Sequence, residues 1–268
     1  MANTSALVNV MTAAARKAAR HLVRDFGEVE NLQVSRKGPA DFVSTADRKS
    51  ESILHAELKK ARPGYGFLME EGGVIEGSDS SNTWIIDPLD GTTNFLHGIP
   101  FFAISIALER DRDLFAGVVY EPITDQMFWA EKGQGAFLNG RRLRVSARRE
   151  LADSLFATGI PFKGSFRNEH FGQQLDAVMR ESAGVRRLGS ASLDMAYVAA
   201  GRFEGYWETG INAWDIAAGA VLVREAGGFV TEINGGRDFL ANQNVIAANS
   251  FLHEPLCALL RVAPGIAG

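Results

Sequence analysis

The side chains best suited to chemistry in this sequence are acidic, and they are clustered. Four segments carry carboxylates among neighbours that do not read as open surface: Glu70-Glu71, the pair Asp87 and Asp90, Asp215 directly after Trp214, and Asp47. The densest is Trp84-Ile85-Ile86-Asp87-Pro88-Leu89-Asp90-Gly91-Thr92-Thr93-Asn94-Phe95, where an apolar run leads into two acids three residues apart. A strand end fixes Asp87, Pro88 stops the strand, and a turn brings Asp90 alongside. Two carboxylates about 4 Å apart repel by roughly 4 kcal/mol at an effective dielectric near 20. Either one takes up a proton or a cation neutralises the pair. Hard oxygen donors of this kind suit magnesium. Gly91-Thr92-Thr93 then offers backbone N–H groups and hydroxyls, at an expected helix start, to a phosphate oxyanion. Taken alone, Asp-Pro-x-Asp-Gly reads as a turn with an N-cap. Its attachment to Gly-Thr-Thr-Asn-Phe and to the other acidic segments turns the reading toward a metal and phosphate site. Asp215, before Ile216-Ala217-Ala218, also reads as a helix N-cap, which is compatible with facing a cation.

These acids need elements to hold them. Leu7, Met11, Ala15, Ala18, Leu22 and Phe26 recur at three- and four-residue steps, as one face of a helix does. Residues 31–34 form a short strand candidate, and the Gly-Pro pair marks residues 36–41 as a turn. Ser44-Thr45-Ala46-Asp47 opens a second helix that ends near Arg62-Pro63-Gly64. Strand candidates cover residues 83–86, 101–108, 114–120 and 127–130, with a hairpin signal at Asn139-Gly140. Beyond Val145, residues 155–158 and 203–207 read as strands. Residues 170–179, 193–200 and 214–226 read as helices, the last closed by Gly227-Gly228. Strands and helices alternate, with antiparallel hairpins mixed in, so the expected class is mixed α/β in stacked layers. The 268 residues suit a single domain of two lobes, about 1–145 and 146–268.

Composition excludes several classes. With 28 basic and 32 acidic side chains and a net charge of −4, the chain lacks the basic excess of a general nucleic-acid binder. Its one cysteine, Cys257, rules out an internal disulfide framework and a Cys-rich zinc module, and it reads as inert in an apolar helix. No stretch approaches the roughly 18–20 apolar residues that span a bilayer. Arg16, Lys17, Arg20 and Arg24 break up any secretory signal, and the first helix reads as part of the fold rather than a transit peptide. A cytoplasmic protein with no membrane partner is the expectation. His97 and the other histidines lack metal-ligand spacing. Arg141-Arg142-Leu143-Arg144 reads as a solvated hairpin edge.

The run Asp87-Pro88-Leu89-Asp90-Gly91-Thr92-Thr93-Asn94-Phe95 resembles the first signature of the inositol monophosphatase family. Trp214-Asp215-Ile216-Ala217-Ala218-Gly219, continued by Arg224-Glu225-Ala226-Gly227-Gly228, resembles the second. Asp41-Phe42-Val43-Ser44-Thr45-Ala46-Asp47 and Glu70-Glu71 are similar to the family's N-terminal segment and acidic pair. The likeness spans nearly the whole chain, in order. It implies a layered α-β-α-β-α sandwich of the inositol monophosphatase and fructose-1,6-bisphosphatase type. It also implies a magnesium-dependent phosphomonoesterase, usually a homodimer, with lithium inhibition in many members. Carried over, Glu70, Asp87 and the Leu89 carbonyl hold a first Mg²⁺, and Asp87, Asp90 and Asp215 a second. Glu70 shares a third, weaker ion. Thr92, with Glu70 or Asp47, orients the attacking water, and the Gly91 and Thr92 amides bind phosphate. This fits the chemistry, because phosphate monoester hydrolysis is among the slowest uncatalysed reactions and paired cations are a remedy. No cysteine or Gly-x-Ser-x-Gly elbow near the motifs suggests a covalent route.

The resemblance also places Gly189, Ser190 and Ala191 beside the substrate ring, and Glu208 and Asp90 on its hydroxyls. Carboxylates and backbone groups suit a polyol, whose hydroxyls both donate and accept. Asp194 reads as structural or as support for the groups that touch substrate. Two features depart from the family: Met69 stands where glycine is typical, and Arg36 and Lys37 straddle a position where one lysine is usual near the phosphate. The expected reaction is hydrolysis of myo-inositol 1-phosphate. Rivals are histidinol phosphate or fructose 1,6-bisphosphate, and a regulatory role. The last follows from the likeness of Arg186-Arg187-Leu188-Gly189-Ser190-Ala191-Ser192-Leu193-Asp194 to SuhB-type bacterial members, some of which act in transcription complexes.

Overall fold

The computed structural model describes residues 4–28, 45–161 and 170–261 in full and the backbone of 34–38 and 41–44. Helix α1 (Ala6–Phe26) starts at Ser5, whose hydroxyl accepts the Val8 N–H at 3.1 Å. It buries the expected stripe, including Met11, Ala15, Ala18 and Leu22. Strands β1 (Val34–Gly38) and β2 (Asp41–Ser44) form an antiparallel hairpin leading into α2 (Thr45–Ala61). Arg36, Lys37 and Gly38 belong to β1 and Asp41 to β2, so these residues of the 36–41 window are strand rather than turn. Residues 39–40 and 31–33 lie outside the described residues, as do the side chains of Arg36, Lys37 and Asp41.

The first large sheet is built from β3 (Tyr65–Met69), β4 (Gly73–Ile75), β5 (Asp79–Asp90), β6 (Ala103–Arg110), β7 (Asp113–Glu121), β8 (Gln126–Glu131), β9 (Gly135–Leu138) and β10 (Arg141–Arg142). Its order is β10-β9-β8-β7-β6-β5-β3-β4. All neighbours are antiparallel except β3 and β5, which run parallel. The short helix α3 (Thr92–Leu96) follows β5. The exposed basic pair of β10 forms one edge of this sheet.

The second sheet has β11 (Leu155–Thr158), β12 (Gly184–Arg186), β13 (Gly205–Thr209), β14 (Phe229–Thr231) and β15 (Asn244–Ala248), in the order β12-β11-β13-β15-β14. Interspersed are α4 (Phe171–Glu181), α5 (Ala191–Ala199), α6 (Ala213–Glu225), α7 (Phe239–Asn242) and α8 (His253–Arg261). The layers stack as α1 and α2, the eight-stranded sheet, α5 and α6, the five-stranded sheet, then α4 and α8. Three apolar clusters fill the gaps. One packs α1 and α2 on the first sheet, one surrounds α5 and α6, and one joins the second sheet to α4 and α8.

The middle layer is tight because its residues are small. A Cβ added at Gly219 would lie 2.6 Å from the Met195 Cβ, and one at Gly117 would lie 2.6 Å from the Ala218 carbonyl oxygen. The Ile216-Ala217-Ala218-Gly219 run lets α6 press on α5 and on β7 at once. That fixes where the helix start, and Asp215 with it, can lie. No helix among the described residues is long and apolar enough to cross a membrane.

Candidate active site

Strand direction explains why the acids meet. β3 and β5 run parallel with Met69 beside Ile86, so Glu70 and Asp87 follow at neighbouring strand ends. The Glu70 N–H donates to the Ile86 carbonyl at 3.2 Å, which continues the ladder. Met69 is buried, and the missing side chain of Gly72 leaves room for its methyl group.

Pro88 does not end the strand. β5 continues to Asp90, and the ladder to β6 slips between Asp87, opposite Ser105, and Asp90, opposite Ala103. Three steps on β5 therefore face two on β6, which is a β-bulge. In a regular strand residues three apart point to opposite faces. The extra residue restores the phase and turns both carboxylates toward α6. The proline sits where no ladder N–H is required. The Ser50 hydroxyl donates to the Pro88 carbonyl at 2.8 Å and ties the bulge to α2.

Asp215 completes the cluster. The helix N-cap is Asn212 rather than Asp215, and Asp215 occupies the third position, where Oδ2 accepts the Asn212 N–H at 2.9 Å. The Ser105 hydroxyl donates to the Trp214 carbonyl at 3.1 Å and locks this helix start to β6. One carboxylate oxygen each from Asp87, Asp90 and Asp215 lies within 4.8 Å of the others. None of the ion pairs among the described residues reaches these three. Burial, then the charges of Glu70, Asp90 and Asp215, hold the Asp87 carboxyl well above the usual carboxylate range. Burial, then Asp90 and Glu70, do the same to Asp215. Burial raises Asp90 too, against the hydrogen bonds it accepts. Buried hard oxygens without a protein cation fit a divalent ion such as Mg²⁺.

Two supports fix the neighbours. Asp90 Oδ2 accepts from the Ser190 hydroxyl at 2.6 Å, the Ser192 N–H at 2.7 Å and the Ser192 hydroxyl at 2.5 Å, so the first turn of α5 clamps it. The Thr92 hydroxyl lies 2.9 Å from Asp47 Oδ1 and 3.0 Å from the Leu89 carbonyl, sharing its proton between them. Asp47 is fully buried in the first turn of α2. Gly91 and Gly189 both have left-handed φ, at 95° and 90°. A Cβ on Gly91 would come 3.3 Å from the Gly189 carbonyl, so this pair lets the two loops touch. Asn94 bridges them, its amide donating to the Phe101 and Leu188 carbonyls at 2.8 Å each.

A cavity of about 340 Å³ opens over this cluster. Of the residues singled out from sequence, Glu70, Asp90, Gly91, Thr92, Gly189, Ser190, Ala191, Glu208 and Asp215 border it. Asp47 stands behind Thr92, Asp87 lies within the acidic cluster, and Leu89 contributes the carbonyl that Thr92 meets. His97 does not border it. Glu208, on β13, accepts the Tyr206 hydroxyl. Burial pushes the Glu208 carboxyl up to about 7 despite that bond. A Cβ on Gly159 would fall 2.0 Å from the Glu208 carboxyl, so this glycine makes space for the acid.

Sequence reasoning missed Gly159, Ser192 and the cavity positions of Arg187 and Asp194. Gly159 follows a strand with no motif around it. Ser192 had a usable signal, since a Gly-Ser-Ala-Ser run at a helix start carries two hydroxyls able to reach an acid.

The model of the inositol monophosphatase family matches residues 3–264. The chain belongs to the inositol monophosphatase family. It is 61% identical to an inositol-1-monophosphatase of Mesorhizobium japonicum, over 94% of this chain and 95% of that protein. It is 43% identical to a protein named Nus factor SuhB from Pseudomonas aeruginosa, over 95% and 96% of the two chains. The crystal structure of extragenic suppressor protein suhB from Bartonella henselae superposes with a TM-score of 0.94 at 57% identity, covering 96% of this chain and 99% of that one. Layers and solved relatives together give the α-β-α-β-α architecture of inositol monophosphatases and fructose-1,6-bisphosphatases. As a family member the chain is a phosphatase.

Proposed function

We propose that the chain is a magnesium-dependent phosphomonoesterase that hydrolyses myo-inositol 1-phosphate to myo-inositol and phosphate, with water as the nucleophile. The observation that carries this reading is the convergence of the Asp87, Asp90 and Asp215 oxygens within 4.8 Å beside a cavity that Glu208 also borders. Glu70, Asp87, the Leu89 carbonyl, Asp90 and Asp215 would hold two or three Mg²⁺ ions. When bound, the ions supply positive charge to the attacking water and to the phosphoryl and leaving oxygens. The Thr92 hydroxyl donates a hydrogen bond to Asp47, which turns its oxygen lone pairs outward to accept a hydrogen bond from the attacking water and orient it. The Gly91 and Thr92 amides receive the phosphate. Glu208 and Asp90 orient the ring, with Gly189, Ser190 and Ala191 along one wall. The small apolar run behind Asp215 keeps the acids in place as charge changes. The same reading makes the protein a cytoplasmic, lithium-sensitive homodimer.

Phosphate release from myo-inositol 1-phosphate, histidinol phosphate and fructose 1,6-bisphosphate tests the substrate. The inositol ester is expected to have the highest kcat/KM, and a far faster rival ester would displace it. A second reading rests on the relative named Nus factor SuhB: a binding role in a transcription complex, apart from catalysis. Co-purification with RNA polymerase factors that survives in Asp87→Asn would favour that role over chemistry.

A further inference from the structure

Asp194 lies one turn into α5 and is 2% exposed. It borders the cavity, as do Glu208 and Arg187. Its Oδ1 is buried with no hydrogen-bond partner among the described residues, so the carboxyl must turn toward the cavity to meet a ligand, and no hydrogen bond offsets the rise that burial, Asp90 and Glu208 impose on it. The other buried acids of the site all have protein partners. Asp90 has Ser190 and Ser192, Asp215 has the Asn212 amide, and Glu208 has Tyr206. A buried carboxyl without a partner is expensive to keep, and such a group commonly awaits a ligand. Arg187, exposed at the rim, lies near enough to act on Asp194 yet makes no ion pair with it among the described residues.

We infer that Asp194 is a further substrate-binding residue that sets specificity, taking one ring hydroxyl of a polyol monophosphate beside the hydroxyl held by Glu208. A hydroxyl suits this place because it both donates and accepts, so it satisfies the carboxyl in either protonation state. A second phosphate there would meet two buried carboxyls. The pair thus selects a polyol carrying a single phosphate and neutral neighbouring hydroxyls. This deepens the inositol-phosphate reading and rests on it.

The test compares Asp194→Ala and Asp194→Asn with the wild type, in Mg²⁺, on myo-inositol 1-phosphate and on p-nitrophenyl phosphate, which has no ring hydroxyls. Asp194→Ala is expected to lose about ten- to a hundredfold more kcat/KM on the inositol ester than on the aryl ester, mostly through KM. Asp194→Asn keeps an acceptor in place and should recover much of that difference. Melting of the metal-free protein is a second readout. Removing a carboxyl that has no partner should leave Tm of Asp194→Asn equal or higher, whereas a group that merely braces α5 would lower it. Equal losses on both esters, or a lowered Tm, overturn the inference in favour of a bracing role. Unchanged preference in Asp194→Ala overturns it too, while leaving the inositol reading intact. A wild type with no preference for the inositol ester sinks that reading and this inference together.

Discussion

The cavity is bordered by two groups of acids that are built differently. In one group Asp87, Asp90 and Asp215 crowd within 4.8 Å, and the charges that act most on Asp87 are other carboxylates. In the other group, Glu208 accepts a tyrosine hydroxyl and Asp194 Oδ1 has no hydrogen-bond partner among the described residues. Crowding concentrates negative potential that a doubly charged cation relieves, whereas acids with free acceptor capacity match neutral hydroxyls. Charge spacing, more than charge count, separates an ion site from a polyol site.

Breaking the crowded group should have the largest consequence. Asp90→Asn is expected to lower kcat by about a thousandfold or more while circular dichroism shows a folded protein. Near-wild-type turnover would remove the cation assignment. Loading that group should stabilise the fold. Asp87 and Asp215 have folded-state pKa values well above the ordinary 3.8, so in metal-free protein their stabilising contribution is present below that value and is lost as pH rises through the folded values. Mg²⁺ at a hundred times its Kd should therefore add about 2.7 kcal/mol at neutral pH and clearly less near pH 4, as read by thermal melts with and without chelator. An equal shift at both pH values would count against a carboxylate site.

The other group should respond more gently. Glu208→Gln is expected to raise KM for the inositol ester about tenfold with a smaller change in kcat. Gly159→Ala should push KM the same way, because its Cβ would fall 2.0 Å from the Glu208 carboxyl. If Gly159→Ala leaves KM unchanged, Glu208 does not act from its observed position. The smallest effect concerns pH. The Glu208 folded-state pKa is about 7 against an ordinary 4.5, so its contribution in metal-free protein is complete below 4.5 and is lost as pH rises through 7. Above pH 7, Glu208→Gln should gain Tm relative to the wild type. A gain that is the same at pH 4 would contradict the assigned shift.

How much of this the sequence discloses depends on the kind of contact. Apolar periodicity marks α1, and the glycine pair after α6 marks its end, because both signals are local. The parallel pairing of β3 with β5 is not local, so nothing near Met69 announces that Glu70 will stand beside Asp87. The same holds for Pro88. Read alone, it is a strand breaker; within the sheet it sits in a bulge that gives Asp87 and Asp90 a common face. Asn212 in place of Asp215 at the helix cap is a boundary shift of a few residues, small in structure but decisive for which atom Asp215 leaves to a cation. Gly159 and the lack of a partner at Asp194 are properties of the space between elements, and no spacing along the chain encodes them.

The central claim is that Asp87, Asp90 and Asp215 form a cation site. Anomalous scattering from a crystal soaked in Mn²⁺ and phosphate tests it most directly. Manganese peaks bound by these three carboxylates, with phosphate beside Gly91 and Thr92, are the expected result. Manganese absent from this cluster, or bound only elsewhere on the molecule, would contradict it.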